Sequence, residues 1–192
     1  MQILEKTKEA IKTKSEKMND FLKMEYFEEC SKKISEIEIL RYCYFELSKL
    51  YEKHSMYTDA IKYIIMFRQL AIGNKERRKA YLIEAELLIK SGQYDRAEFL
   101  YNQLIKSLSG IEKFETTEKI INIYKHEIVK FEKSNRNIIL LKLYEKFIHL
   151  LPENKKILIK KRILDVLKKL GKVKESLELE REINRESAIK II

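Results

Sequence analysis

The chain has 192 residues, 45% of them hydrophobic and 36% charged, which suits a single domain with a substantial core. Its four glycines and one proline leave little room for the tight turns of an all-β protein, and no apolar run reaches the roughly 18 residues that a membrane span needs. The net charge of +10 is concentrated in residues 111–192, which carry 20 Lys and Arg against 13 Asp and Glu.

Apolar residues recur at intervals of three and four along nearly the whole chain, which predicts amphipathic helices. Short breaks divide these helices into pairs, and helices joined by so short a break must lie antiparallel. In chain order, the pairs are predicted at residues 2–37, 38–73, 75–109, 112–152 and 154–190. We expect the break of the first pair near Lys23–Glu25 and an N-cap at Thr58 or Asp59 in the second pair. Gly92 is expected to take the left-handed conformation after a helix end.

One small residue tends to occur early in the second helix of each pair, and aligning the pairs on it gives the column Cys30, Ala60, Ala97, Leu140 and Ser176. The segment 80–106, with a G-x-Y-x-x-A run from Gly92 to Ala97, and the segment 44–64 resemble the tetratricopeptide repeat, whose period is about 34 residues. The resemblance implies one all-α domain over residues 1–192, a right-handed α-solenoid of about five antiparallel helix pairs. A looser α-solenoid of related geometry is the alternative.

The sequence contains no recognisable catalytic, metal-binding or cofactor-binding motif. Its three histidines form no His-x-x-x-His pair, and its four glycines fit neither a phosphate-binding loop nor a nucleophile elbow. Cys30 and Cys43 lack a C-x-x-C spacing and are expected to be isolated, buried apolar residues. The adjacent acids Glu28 and Glu29 are expected to be solvated surface charges. We therefore expect a protein that is not an enzyme and that holds no metal or cofactor.

The resemblance also implies a binding face, because solenoids of this kind bind partners on the concave side that the first helix of each pair lines. The implied partner-binding residues are Tyr42, Phe45, Lys49, Lys79, Leu82, Glu86, Asn122, Lys125, His126, Lys161, Arg162 and Lys168. The predicted function is a protein–protein interaction scaffold that holds a peptide or partner protein in this groove. We expect a cytoplasmic location, because the N-terminal residues lack the apolar core of a signal peptide.

Two alternatives to the scaffold follow from the C-terminal half. It contains a dense basic cluster, formed by Lys160, Lys161, Arg162, Lys168, Lys169, Lys172 and Lys174. Such a cluster attracts nucleic acid, although no aromatic residues alternate with these cations to stack on bases. The competing interpretation is that the basic cluster is a solvated helix face whose charge is balanced by Asp165, Glu175 and Glu178. The second alternative is a homo-oligomeric structural module that assembles through the apolar C-terminal residues 188–192.

Overall fold

The computed structural model describes residue 5 and residues 7–189, and within them it contains ten α-helices, one short 3-10 helix and no strand. The α-helices are α1 (Lys8–Glu16), α2 (Asp20–Lys33), α3 (Ile37–Lys53), α4 (Tyr57–Gln69), α5 (Gly73–Lys90), α6 (Tyr94–Lys106), α7 (Gly110–Lys133), α8 (Asn137–Phe147), α9 (Glu153–Lys169) and α10 (Val173–Ile189). The 3-10 helix, Ile148–Leu150, continues directly from α8. The predicted all-α class is confirmed. No helix in the described ranges combines the length and the apolar composition that a bilayer crossing requires.

The helices form two compact units, residues 1–104 and residues 105–192. In the first unit α3 packs on α2 and α4, α4 packs on α5, and α1 contacts α3. In the second unit α8 packs on α7 and α9, and α10 packs on α9. Each unit therefore contains the same local arrangement, in which one even-numbered helix contacts the two odd-numbered helices on either side of it in sequence.

The small-residue column of the sequence lies in the core of each unit. Ala60 and Ala97 have no exposed surface, and Leu140 and Ser176 are also buried. The hydroxyl group of Ser48 on α3 donates to the carbonyl oxygen of Ala60 on α4 at 3.0 Å, which brings the two helix backbones close together. Ala60 is small because α3 approaches it directly, and the other positions are buried in the core.

The same left-handed turn ends the first helix of each of the last four pairs. Its left-handed residues are Ser55, Gly92, Asn135 and Gly171, with φ of 59°, 78°, 51° and 70°. In each turn the next residue donates its N–H to a carbonyl oxygen five positions earlier, for example from Gln93 to Leu88 at 2.8 Å. The expectation for Gly92 is therefore confirmed. The predicted N-cap of α4 is wrong, since that helix begins at Tyr57 and has no side-chain cap.

The first helix pair departs from the prediction. The break lies at residues 17–19 instead of Lys23–Glu25, because the side chain of Asn19 accepts a hydrogen bond from the N–H of Leu22 at 3.0 Å and caps α2 there. Cys30 consequently lies near the end of α2 and not early in a second helix. Residues 1–4, 6 and 190–192, which the predicted first and last helices include in part, lie outside the described residues.

The two cysteines are buried, as predicted. Cys30 on α2 and Cys43 on α3 have no exposed surface and belong to one apolar cluster. They lie on α2 and α3, two helices that pack on each other. The sequence separation of these residues carried no sign that they share one cluster.

Candidate partner-binding surfaces

In the first unit, predicted binding residues of α3 and α5 come together on one surface. The Nζ atoms of Lys49 and Lys79 lie 5.0 Å and 4.8 Å from the centre of the Phe45 ring. Ammonium groups at this distance are attracted by the electron-rich face of an aromatic ring. Tyr42 lies one turn before Phe45 on α3 and is half-buried. We call Arg41, Tyr42, Phe45, Lys49 and Lys79 the α3–α5 surface.

A cavity of about 310 Å³ opens at the α3–α5 surface. It is lined by Lys8, Glu38, Arg41, Tyr42, Phe45, Phe67, Glu76 and Lys79. Phe67 of α4 supports the aromatic side of the cavity, since its ring centre lies 5.1 Å from that of Phe45. The cavity therefore joins aromatic rings to charged groups, and its volume suits one or two side chains of a partner.

Most charged groups around this cavity are already paired. Arg41 binds Glu76 and so connects α3 to α5, and Lys8 Nζ lies 3.1 Å from Glu38 Oε1. Burial raises the pKa of Glu76, but the Arg41 guanidinium and a backbone N–H outweigh burial and hold that pKa below its ordinary value. Lys79 makes no ion pair within the described residues. It is therefore the cation at this cavity that can pair with an acidic group of a partner.

Glu86, a predicted binding residue, takes part in a contact between α3 and α5. Lys90 Nζ lies 2.6 Å from Glu86 Oε1 and 2.6 Å from Glu52 Oε1 on α3. Burial lowers the pKa of Lys90, but the two carboxylates raise it above its ordinary value. Leu82, one turn before Glu86, is half-buried. These residues hold α5 against α3 next to the α3–α5 surface.

In the second unit, the predicted binding residues of α7 are exposed along one face of that helix. Asn122, Lys125 and His126 are exposed, and Val129 one turn further is 48% exposed. The side chain of His126 is 78% exposed, and its Nδ1 atom lies 3.5 Å from the buried carboxylate of Glu127. This face contains no concentration of aromatic groups comparable to that around Phe45.

The predicted binding residues of α9 are exposed too, but two of the three are bound to acids. Arg162 Nη1 donates to Glu132 Oε1 on α7 at 2.6 Å, and Lys168 Nζ lies 3.0 Å from Glu180 Oε1 on α10. The hydroxyl group of Tyr144 donates to the same Glu132 oxygen at 2.5 Å. Burial and this carboxylate raise the pKa of Tyr144 to about 12.

A second cavity, of about 370 Å³, lies beside this group of residues in the second unit. Its lining is formed by Glu132, Asn135, Asn137, Leu140, Tyr144, Arg162, Asp165, Val166 and Lys169. The Glu132 carboxylate already receives hydrogen bonds from Arg162 and Tyr144, so these three side chains link α7, α8 and α9. The cavity is polar and of mixed charge, which favours no single class of ligand.

The basic cluster is largely neutralised by acidic side chains. Four of its seven cations form ion pairs: Lys160 with Glu182 and Glu186, Arg162 with Glu132, Lys168 with Glu180, and Lys172 with Glu175. Of the three acids predicted to balance the cluster, only Glu175 does so, and Asp165 and Glu178 form no ion pair among the described residues. Lys161, Lys169 and Lys174 likewise form none in this part of the chain. The positive charge of the basic cluster is therefore balanced chiefly by acidic side chains on α10 and α7. The local sequence of α9 does not reveal these partners.

Glu28 was missed by the sequence analysis, and its expected role as a solvated charge is wrong. Its Oε1 atom accepts hydrogen bonds from the hydroxyl groups of Tyr51 at 2.6 Å and Tyr63 at 2.8 Å. The two tyrosine rings are stacked, with their centres 5.5 Å apart. Burial, followed by the contact with Glu28, raises the pKa of both tyrosines above the ordinary value. Glu28 thus links α2 to α3 and α4.

Comparison of the chain with protein-family models and with curated proteins finds no match. The resemblance to the tetratricopeptide repeat accordingly stays a prediction from the sequence. Over the described residues, no group of three or more His, Cys, Asp and Glu side chains is placed to hold a metal ion. The surfaces described above therefore provide the structural basis for a functional proposal.

Proposed function

We propose that this chain is a protein-interaction scaffold, acting in the cytoplasm, which binds a peptide or a segment of a partner protein at the α3–α5 surface. The observation that supports this most is the Phe45 ring at the edge of a cavity of about 310 Å³, since its centre lies 5.0 Å from the ammonium nitrogen of Lys49 and 4.8 Å from that of Lys79. An apolar side chain of the partner would enter the cavity, and an acidic group beside it would pair with Lys79. Aromatic and cationic groups in such combinations are frequent anchors in protein interfaces.

The helix arrangement within each unit supports the proposal that the pairs are repeats of a right-handed α-solenoid. Helix α4 packs on both α3 and α5, and α8 packs on both α7 and α9. Ion pairs join the outer helices in both cases, Arg41 with Glu76 and Arg162 with Glu132. The left-handed turn that recurs in the last four pairs supports the same proposal. Stacked pairs of this kind present the side chains of their first helices on one side.

The nucleic-acid alternative has less support than the scaffold. Four of the seven cations in the basic cluster are paired with acids, so at most three are available to displace counterions from phosphates without breaking an ion pair. The oligomeric alternative depends on residues 188–192. Side chains beyond Glu186 lie outside the described residues, so that alternative has no structural observation behind it.

A displayed library of random peptides tests the proposal directly. Peptides selected on the wild-type chain are expected to combine an apolar residue with a neighbouring Asp or Glu. The Lys79→Glu variant should bind the selected peptides at least about tenfold more weakly, because the substitution replaces an attractive charge with a repulsive one. Isothermal titration calorimetry measures the difference.

Lys62→Glu provides the matched control. Lys62 is also an exposed lysine near an aromatic ring, with its Nζ atom 5.2 Å from the ring centre of Tyr63, but it lies on α4 and does not line the cavity. Lys62→Glu is expected to leave peptide affinity unchanged. Equal losses in the two variants would show a general charge effect, and they would remove the α3–α5 surface from consideration. Failure to select any peptide would contradict the proposed function itself.

A further inference from the structure

A row of charged side chains runs along α3 and α5, from the cavity of the α3–α5 surface to the contact of Lys90 with Glu52 and Glu86. On α5, Lys79 and Glu86 are seven residues apart, which is close to two helical turns, so both lie on one face of the helix. On α3, Phe45 and Glu52 have the same separation. The face that carries Lys79 therefore continues as far as Glu86.

The two ends of this row differ in net charge. The cavity lining contains three cations and two acids, and each of the two acids is bound to a cation. Lys79 is the remaining cation, and it is exposed, so this end has one net positive charge. At the other end, Lys90 Nζ lies 2.6 Å from an oxygen atom of Glu52 and 2.6 Å from one of Glu86. Two carboxylates around one ammonium group leave one net negative charge there.

The negative charge at this second end is accessible to a partner. The Lys90 side chain is 18% exposed, whereas those of Glu86 and Glu52 are 37% and 29% exposed, so an approaching segment meets the carboxylates before the ammonium group. Between the two ends, Lys49 Nζ lies 2.6 Å from Glu46 Oε1, and this pair is neutral as a whole. The row therefore has a positive end, a neutral middle and a negative end.

We propose that the α3–α5 surface binds a bipolar segment, in which an acidic side chain pairs with Lys79 and a basic side chain binds Glu86 and Glu52. This inference rests on the proposed function and adds to it a second charge and its position. Seven residues of α-helix extend about 10.5 Å along the axis, and an extended peptide covers that distance in about three residues. We therefore expect the acid and the base three residues apart in an extended partner and seven apart in a helical one.

The opposite charges of the two ends also fix the direction in which the segment lies. A segment placed the other way round would bring its base to Lys79 and its acid to Glu86. Both contacts would then be between like charges, which disfavours that arrangement. The charges thus determine the orientation and the register of the partner, in addition to strengthening its binding.

The sequences of peptides selected on the wild-type chain give the first test. We expect Lys or Arg to be enriched three or seven residues from the Asp or Glu that pairs with Lys79. Replacing that base with Gln in the peptide should weaken binding to the wild-type chain about fivefold in isothermal titration calorimetry. Selected peptides that depend on Lys79 but show no base at either spacing would overturn this inference and leave the proposed function intact.

A double-mutant cycle between chain and peptide gives the second test. Glu86→Gln should weaken binding of the basic peptide about fivefold and should have no effect on the peptide whose base is replaced by Gln. Lys90 keeps Glu52 as its partner in this variant, and circular dichroism verifies that the variant is folded. Glu25→Gln, at an exposed acid of α2 outside this surface, is the matched control and should leave both affinities unchanged.

The outcomes of the cycle separate the two proposals. Equal losses for both peptides in Glu86→Gln would show an indirect effect and would overturn the bipolar inference. Peptide affinities that do not respond to Lys79→Glu would contradict the proposed function itself.

Discussion

Arg68 of α4 and Glu84 of α5 form an ion pair at the contact between these two helices, with 3.0 Å between Nε and Oε2. Glu84 is 4% exposed, and the guanidinium carbon of Arg68 lies 4.3 Å from the ring centre of Tyr81. The two atoms are at ion-pair distance, but their orientation does not satisfy a hydrogen bond. Burial therefore outweighs the attraction of Arg68 and raises the pKa of Glu84 above its ordinary value.

The first prediction concerns the loss of the partner of Glu84. Arg68→Ala leaves the buried Glu84 carboxylate with only the weaker attraction of Arg96, and we expect it to lower the free energy of unfolding by about 3 kcal/mol at neutral pH. Urea unfolding followed by circular dichroism measures the change. The same substitution made in a Glu84→Gln background should lower the free energy of unfolding by clearly less, because no buried carboxylate is then left behind. Equal costs in the two backgrounds would show that Arg68 acts only through its packing on Tyr81.

The second prediction concerns pH. The folded chain holds the Glu84 proton more tightly than the unfolded chain, so the stability that this group contributes is present below the ordinary Glu pKa of 4.5 and is lost as pH rises through the raised folded value. Glu84→Gln removes this titration. The stability of the variant relative to wild type should therefore increase from pH 4 to pH 8 in urea unfolding. A difference that stays constant with pH would contradict the raised pKa.

The third prediction concerns the recurring left-handed turn. Gly92→Ala is expected to destabilise the chain by about 1 kcal/mol, because an L-residue is strained at φ 78° although no atom lies within 4 Å of the added Cβ. Ser55 occupies the equivalent turn with φ 59°, so Ser55→Gly should relieve strain and stabilise the chain by up to about 1 kcal/mol. Thermal unfolding of the two variants gives opposite shifts if this is correct. Shifts of the same sign would mean that the backbone conformation does not decide the effect.

The fourth prediction concerns the small-residue column. Ala97 of α6 has no exposed surface, and Ala97→Leu adds three carbon atoms there. We expect this substitution to lower the free energy of unfolding by about 1–3 kcal/mol. Asn102→Leu introduces the same side chain at an exposed position of the same helix and should change the free energy of unfolding by less than about 0.5 kcal/mol. Denaturant unfolding measures the free energy of unfolding of both variants. If Ala97→Leu were tolerated as well as its control, the column would not be a site of close packing.

The fifth prediction concerns the contact between α7 and α8. Tyr144→Phe removes a hydrogen bond to a charged acceptor, Glu132, and should lower the free energy of unfolding by about 1.5 kcal/mol. A double-mutant cycle with Glu132→Gln separates this contact from others, and it should return a coupling of at least about 0.5 kcal/mol. Because Glu132 also binds Arg162, Glu132→Gln alone is expected to cost more than Tyr144→Phe. A coupling near zero would assign the effect of Tyr144 to packing alone.

The sequence predicted the helices well in the last four pairs, because short-range signals define them. Apolar spacing, the turn at Gly92 and the break before α8 all involve residues within one or two helical turns of each other. The first pair was misplaced because the cap at Asn19 was overlooked in a segment where apolar and charged residues alternate too evenly to show a break. Helix existence was thus a local property, while helix boundaries depended on single capping residues.

The predicted binding residues show the same difference between what local sequence specifies and what tertiary packing specifies. Their presence on α3, α5, α7 and α9 followed from periodicity and the resemblance together. Which of them meet was decided by packing. The ammonium groups of Lys49 and Lys79 both approach the Phe45 ring, whereas Glu86 is held by Lys90. Contacts between helices depend on the rotation and register with which each helix packs, and no residue near Phe45 in sequence specifies the approach of Lys79.

By itself, the sequence determined an all-helical chain built from antiparallel pairs, with small residues at the close contacts and a basic C-terminal half, because these properties depend on composition and on spacings of three to five residues. Only the tertiary structure decided that Glu28 binds Tyr51 and Tyr63, that Cys30 and Cys43 share one buried cluster, and that four of the seven cations in the basic cluster are paired with acids. The physical reason is the separation along the chain. Apart from Lys172 and Glu175, which are three residues apart, these partners lie between 12 and 35 residues apart. Their contacts form only when whole helices dock.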